Sequence, residues 1–185
     1  MMLALKSAVF LDRDGVLNQP KVIDGKPYPP VALEDFHLYP EVPEACRRLK
    51  EAGFLLVVVT NQPDVGRGTL AREVVEAIHD RICQVLPIDR VEVSYDSGQE
   101  NPPSEFRKPR PGMLLRAARE LGIDLKKSFM VGDRWRDIDC GHAAGCTTIF
   151  VDRGYQEELR QAPHFRVANL AEAAQIILGV AASNP

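Results

Sequence analysis

Hydrophobic positions along this chain follow two rhythms that take turns. Short, nearly unbroken apolar runs stand at residues 7–11 ("SAVFL"), 54–60 ("FLLVVVT"), 91–95 ("VEVSY"), 128–133 ("SFMVGD") and 147–152 ("TTIFVD"). Runs this short predict strands, and the second, apolar almost throughout, predicts one covered on both faces. Between them, apolar residues recur every three or four positions: Val42, Ala45, Leu49 and Ala52, then Val74, Val75, Ile78 and Ile82, then Leu114, Ala117, Ala118 and Leu121. That spacing predicts helices. Gly53 and Gly122 mark two stops, and Pro111 suits the first turn of the third helix. Further helices are expected over residues 134–144 and 170–178.

Strand and helix alternate throughout, which predicts an open parallel sheet with helices on both faces, a Rossmann-like α/β fold. No repeat or linker interrupts it, so residues 1–185 are expected to form a single domain. Two segments break the rhythm. Residues 24–36 are rich in proline and residues 96–111 are polar; both predict loops. In such sheets ligands sit outside the carboxyl ends of the strands. Those ends carry Asp12, Thr60 and Asp133.

Composition narrows the classes. Of 185 residues, 45% are hydrophobic and 26% charged, the balance of a globular domain with a full core. The net charge of −3 offers no basic field for nucleic acid. The opening "MMLALKSAVFLD" is too short and interrupted for a secretory signal, and no window suits a membrane helix. Cys46, Cys83, Cys140 and Cys146 form no CxxC pair, so a reduced, cytoplasmic protein is expected and the cysteines are expected to fill core. His142 is expected to be packed or solvated, and Trp135 to be a packing anchor.

The chemistry concentrates where the first strand ends. "FLDRDG" drives an apolar run into Asp12 and Asp14, one residue apart, with Gly15 to turn the backbone. Buried charge is costly unless paired or bound to a cation. Two carboxylates on one side of an extended chain call for a divalent ion. An all-oxygen site with few protein ligands suits Mg²⁺, and Asp133 at another strand end can complete it. Other groups converge on the same edge: the Thr60 hydroxyl in "VVVTN", Lys108 in "RKPRPG", and Asp133 with Asp137 in "VGDRWRD". Each alone has a plain structural role, such as a helix cap for Asp133. Those plain roles do not explain why all of them fall on one edge.

With these four motifs the chain resembles the haloacid dehalogenase superfamily of phosphatases. "FLDRDGVLN", "TNQ" followed by "GRG", and "RKPRPGML" are closer still to the branch of D-glycero-D-manno-heptose 1,7-bisphosphate and histidinol-phosphate phosphatases. The resemblance implies an aspartyl-phosphate on Asp12, acid–base catalysis by Asp14, phosphoryl contacts from Thr60 and charge compensation by Lys108. It also implies a Mg²⁺ site made by the Asp12 and Asp133 side chains and the Asp14 carbonyl, with Asp137 orienting the site from behind.

Two departures bear on substrate. Many members of the branch hold zinc in a Cys/His loop before the motif lysine. Here "SYDSGQENPPSEFRK" contains neither residue, so no zinc is expected. The gaps between motifs are too short for a cap domain, which predicts an open site shaped by residues 19–36 and 96–110. Asn18, Asn61, Arg107, Arg110 and Arg134 are expected against the substrate, with Lys21, Lys26 and Arg67 nearby. The expected activity is removal of the 7-phosphate of heptose 1,7-bisphosphate by a monomer. Histidinol phosphate is the rival substrate, kept open by Asp96, Glu100 and Glu105. A polynucleotide 3′-phosphatase shares the four motifs, but the acidic balance of this chain and its lack of a basic stripe argue against that reading. A non-catalytic phosphate-binding module would be marked by loss of Asp12 or Asp14, and both are present.

Overall fold

A computed structural model of the chain describes residues 5–24 and 26–183. Residues 1–4, at the start of the segment excluded as a secretory signal, lie outside the described residues, as do Gly25 and residues 184–185.

Six parallel strands form the central sheet. In chain order they are β1 (Ala8–Leu11), β4 (Leu55–Asn61), β5 (Arg90–Ser94), β6 (Phe129–Gly132), β7 (Thr147–Val151) and β8 (Phe165–Val167). Their spatial order is β5-β4-β1-β6-β7-β8. The chain runs outward from β1 to one side, then returns beside β1 and runs outward to the other. The switch therefore falls between β1 and β6, which pair in parallel through Val9–Phe129, Phe10–Met130 and Leu11–Val131. A crevice opens there beyond the strand ends, the place where such sheets bind ligands.

The helices are α1 (Val42–Glu51), the single turn α2 (Pro63–Gly66), α3 (Arg72–Val85), α4 (Gly112–Leu121), α5 (Trp135–Ala144) and α6 (Leu170–Ser183). Side chains alternate across the sheet. Val9, Leu11, Leu56 and Val58 pack on α1, α3 and α6. Ala8, Phe10, Val57 and Val59 pack on α4 and the Cys140 face of α5. Burial on both faces explains the continuous apolar runs of β1 and β4.

Several boundaries differ from the sequence reading. Pro111 is the N-cap of α4 rather than part of its first turn. Helix α6 continues to Ser183, beyond the expected 178. Strand β8 was not anticipated. The proline-rich segment is not all loop: β2 (Lys21–Ile23) and β3 (Lys26–Tyr28) form an antiparallel hairpin, which pairs with no other strand among the described residues. Cys46, Cys140 and Cys146 are buried as expected, whereas Cys83 is exposed on α3. His142 accepts from or donates to neighbours at the far end of α5 and stays away from the crevice. Trp135 does not fill core; it is half-buried, with the Arg160 guanidinium 3.4 Å over its ring.

Candidate active site

The crevice is a cleft of about 260 Å³. Its floor is Asp12, Asp14, Thr60, Lys108, Asp133 and Asp137, and Arg67, Arg107, Arg134 and Arg136 stand on its walls. Pro20, Pro27, Tyr28 and Pro29 of the hairpin region form an apolar side.

Lys108 is the hub of the floor. It is almost fully buried, and its Nζ lies 2.9 Å from Asp12 Oδ1 and 2.7 Å from Asp137 Oδ1, while donating to the Val59 carbonyl at 2.6 Å. Burial alone would lower its pKa, but the two carboxylates outweigh burial and raise it, so the lysine stays charged. Asn61 sets the lysine's backbone. Its Nδ2 donates to the Lys108 carbonyl at 3.0 Å, and its Oδ1 accepts from the Lys108 N–H at 3.1 Å. The Asn61 amide is thus engaged by protein.

Asp137 has two tasks. Its Oδ2 accepts from the Arg134 N–H at 3.0 Å, capping α5, and its Oδ1 faces Lys108. Gly132 makes room for it: a Cβ at Gly132 would lie 2.1 Å from the Asp137 Cβ. Asp133 packs in the same way on Gly15, whose φ of +89° and lack of a side chain leave the space; a Cβ there would meet Asp133 Oδ2 at 1.8 Å.

Asp12, Asp133 and Asp137 each bring a carboxylate oxygen within 4.8 Å of the others, and all three are buried. Burial, reinforced by Asp137 and opposed by Lys108, pushes Asp12 up to about 6. Burial, then Asp12 and Asp137, raise Asp133 well above the ordinary carboxylate range. One ammonium cannot balance three carboxylates. Asp133 Oδ1 is moreover buried without a hydrogen-bond partner among the described residues. A hard divalent cation fits this donor set in both charge and ligand type.

Asp14 departs from the expected picture. Its carboxylate does not join the acid cluster. It is gripped by the adjacent Arg13, with Nη2 at 2.8 Å and Nε at 3.2 Å from Oδ2, and by Asn18 Nδ2 and Gln62 Nε2, both at 2.9 Å. Burial would raise its pKa, but the Arg13 charge and these donors hold it below the ordinary range. The two carboxylates of "DRD" are kept apart electrically by the residue between them. Arg13 is fully buried, and its Nη1 lies 3.4 Å from His79 Nε2. Gln62 also donates to Thr60 Oγ1 at 3.0 Å, joining the hydroxyl to the same network. Arg13, Gln62 and His79 were not anticipated. The signal for Gln62 was its place two residues past Thr60 at a strand end.

Two residues expected against the substrate lie elsewhere. Asn18 is fully buried behind Asp14 and has no face on the cleft, so it positions the carboxylate instead. Arg110 donates to the Pro103 carbonyl at 2.8 Å and does not line the cleft. Lys21 and Lys26 are exposed and also absent from the lining. Arg107 and Arg134 do line it. Arg107 donates to the Asp96 carbonyl at 2.8 Å and has no carboxylate partner among the described residues. Arg136 joins them and was not expected. Arg134 is paired with Glu157.

Carboxylates organise residues 96–104 of the polar loop. Asp96 accepts from the Gly98 and Ser104 N–H groups, and Glu100 from those of Ser97 and Gly98. Both acids are spent on backbone and neither lines the cleft.

Comparison with known proteins agrees with this geometry. A HAD-hydrolase-like family model matches residues 105–173. The D-glycero-D-manno-heptose-1,7-bisphosphate 7-phosphatase of Thermosynechococcus vestitus is 35% identical over 168 residues, covering 83% of each chain. The chain belongs to the haloacid dehalogenase superfamily, in its heptose-bisphosphate phosphatase branch. It is a phosphatase. The D-glycero-beta-D-manno-heptose-1,7-bisphosphate 7-phosphatase of Yersinia pestis is 36% identical over 151 residues, 76% of this phosphatase and 77% of that one. The crystal structure of the D,D-heptose 1,7-bisphosphate phosphatase from B. bronchiseptica, complexed with magnesium and phosphate, superposes with a TM-score of 0.79 at 28% identity. It covers 94% of this phosphatase and 99% of that chain.

Proposed function

We propose that the phosphatase removes the 7-phosphate of D-glycero-D-manno-heptose 1,7-bisphosphate through an aspartyl-phosphate on Asp12, with Mg²⁺ held by Asp12, Asp133 and the Asp14 carbonyl. The observation that carries this reading is Lys108 set between Asp12 and Asp137 beneath a mouth of arginines. Asp12 Oδ1 is occupied by Lys108 and by the Arg13 N–H at 2.7 Å, which leaves Oδ2 to attack phosphorus. Like charges about 4 Å apart repel by roughly 4 kcal/mol per unit pair at an effective dielectric near 20. Lys108 offsets part of that cost, and bound Mg²⁺ supplies further charge compensation.

The bond from phosphorus to the sugar oxygen then breaks, and the leaving oxygen takes a proton from Asp14. In the free enzyme Arg13 keeps Asp14 ionised; a phosphate dianion brought beside it favours the proton again. Water next attacks the aspartyl-phosphate, giving its proton to Asp14 and restoring the Asp12 carboxylate. Thr60, held by Gln62, faces the phosphoryl oxygens.

The names of the relatives support a substrate with a second anion, as do Arg107 and Arg136, which have no carboxylate partner among the described residues. Burial first, and then the nearby Arg136 charge, disfavour the Arg107 cation, a cost recovered when an anion sits beside it. Histidinol phosphate finds less support, because Asp96 and Glu100, the acids expected to meet its cationic groups, cap loop N–H groups, and neither they nor Glu105 are among the residues lining the cleft. Metal removal tests the reading. Phosphate release falls to background after EDTA and returns with Mg²⁺; release that survives chelation contradicts it.

A further inference from the structure

The segment joining β7 to β8 crosses the outer side of α5 and is tied to it at four places. Glu157 pairs with Arg134, Arg160 stacks on Trp135, Gln161 donates to Asp139 at 3.0 Å, and the Ala162 carbonyl meets His142 Nε2 at 2.9 Å. Three of these ties lie away from the cleft. The first does not, because Arg134 lines it and directly follows Asp133.

The Arg134–Glu157 pair is a fork on a fork. Nε meets Oε2, and Nη2 meets Oε1 at 3.0 Å. This is the two-point geometry in which guanidinium also binds phosphate. The side chains are only 27% and 20% exposed, so the pair sits in partly desolvated surroundings where it is worth more than a surface pair. Arg107 and Arg136, on the same cleft, have no carboxylate partner among the described residues. Glu157 therefore occupies a cleft guanidinium whose residue directly follows Asp133 and which feels the charges of Asp133 and Asp137.

We infer that Glu157 is an internal stand-in for phosphate, a specificity residue that holds Arg134 away from bound anions and keeps the cleft's grip on released phosphate weak. The inference rests on the cleft being a phosphate site, and it names what regulates that site's affinity. A phosphatase must let its product go, and an extra bidentate arginine beside the catalytic acids would slow that release. Glu157 removes it from competition without removing the positive charge from the wall.

The test is calorimetric binding of inorganic phosphate to the full chain with Mg²⁺ present, alongside product inhibition by phosphate. Glu157→Gln keeps shape and hydrogen bonding but drops the charge. The expected result is phosphate binding and inhibition tighter by about tenfold, or about 1.4 kcal/mol. Glu157→Asp should stay near the wild type. Adding Arg134→Met to Glu157→Gln should cancel the gain. Unchanged or weaker phosphate binding in a Glu157→Gln protein that melts like the wild type would overturn the inference, as would a gain that persists without Arg134. Phosphate-monoester hydrolysis by the wild type, measured beside these, separates the two ideas. Hydrolysis with unchanged binding sinks the role of Glu157 alone. Altered binding without hydrolysis sinks the proposed reaction and leaves Glu157 as the stand-in.

Discussion

Asp12 and Asp14 are two residues apart and live in opposite electrical surroundings. Asp12 shares a lysine with Asp137 and is raised by burial, while Asp14 has a buried arginine of its own and is lowered. Pairs of acids pushed apart by their environments are the usual basis for dividing nucleophile from acid–base roles. Asp12→Asn should remove turnover, because an amide does not attack phosphorus. Asp14→Asn should lower the rate by about 10²–10⁴, the range for lost proton transfer, while leaving phosphate affinity nearly unchanged. Steady-state rates within tenfold of wild type for either variant would contradict the assignment. The two carboxylates were legible in the sequence because an apolar run ending in DxD has no structural need for acids. Arg13 was not, because an arginine between two aspartates reads as solvated. Only the packing of α3 against the end of β1 shows that it is buried.

Helix α3 brings the pH behaviour. His79 lies on its buried face, and burial first, then Arg13, lower its pKa from 6.5 to about 4. A buried histidine that stays neutral makes the unfolded state the better proton binder between those values. Its stabilisation is complete above pH 6.5 and is lost as the pH falls towards 4, by at most about 1.4 kcal/mol per pH unit and about 3 kcal/mol in all. His79→Gln keeps a hydrogen-bond acceptor for Arg13 but cannot titrate. Denaturant unfolding of both proteins at pH 7 and pH 5 should show a smaller loss in the variant; parallel losses would contradict this. The elements themselves were largely readable. Strands β1, β4, β5, β6 and β7 announce themselves as apolar runs, and α1, α3 and α4 as stripes. The hairpin and β8 did not, since three-residue strands carry too few positions for a period, and Lys26-Pro27-Tyr28 holds a proline. Strand β8 takes its place from pairing with β7, and the hairpin from the local pairing of β2 with β3.

At the scale of the whole molecule, the strand order places the ends of β1, β4 and β6 side by side. Motifs far apart in sequence meet there because of topology alone. Between Asp14 and Thr60 the described residues form a hairpin, a 3₁₀ turn, α1 and the start of β4, and the hairpin region and Arg107 line the cleft. This leaves substrate choice to the arginines of the wall. Arg107→Ala should cost about 1.5–3 kcal/mol in kcat/KM on a sugar bisphosphate, the scale of a lost charged hydrogen bond, and far less on a monophosphate ester. Equal losses on both would move Arg107 to the reacting phosphate. The central claim is a phosphatase built for a second anion. It is tested most directly by kcat/KM for D-glycero-D-manno-heptose 1,7-bisphosphate against histidinol phosphate, with Mg²⁺ and the wild-type chain. A preference for the bisphosphate of tenfold or more, the lower end of what one charged hydrogen bond supplies, is predicted. Equal efficiency, or a preference for histidinol phosphate, would contradict it.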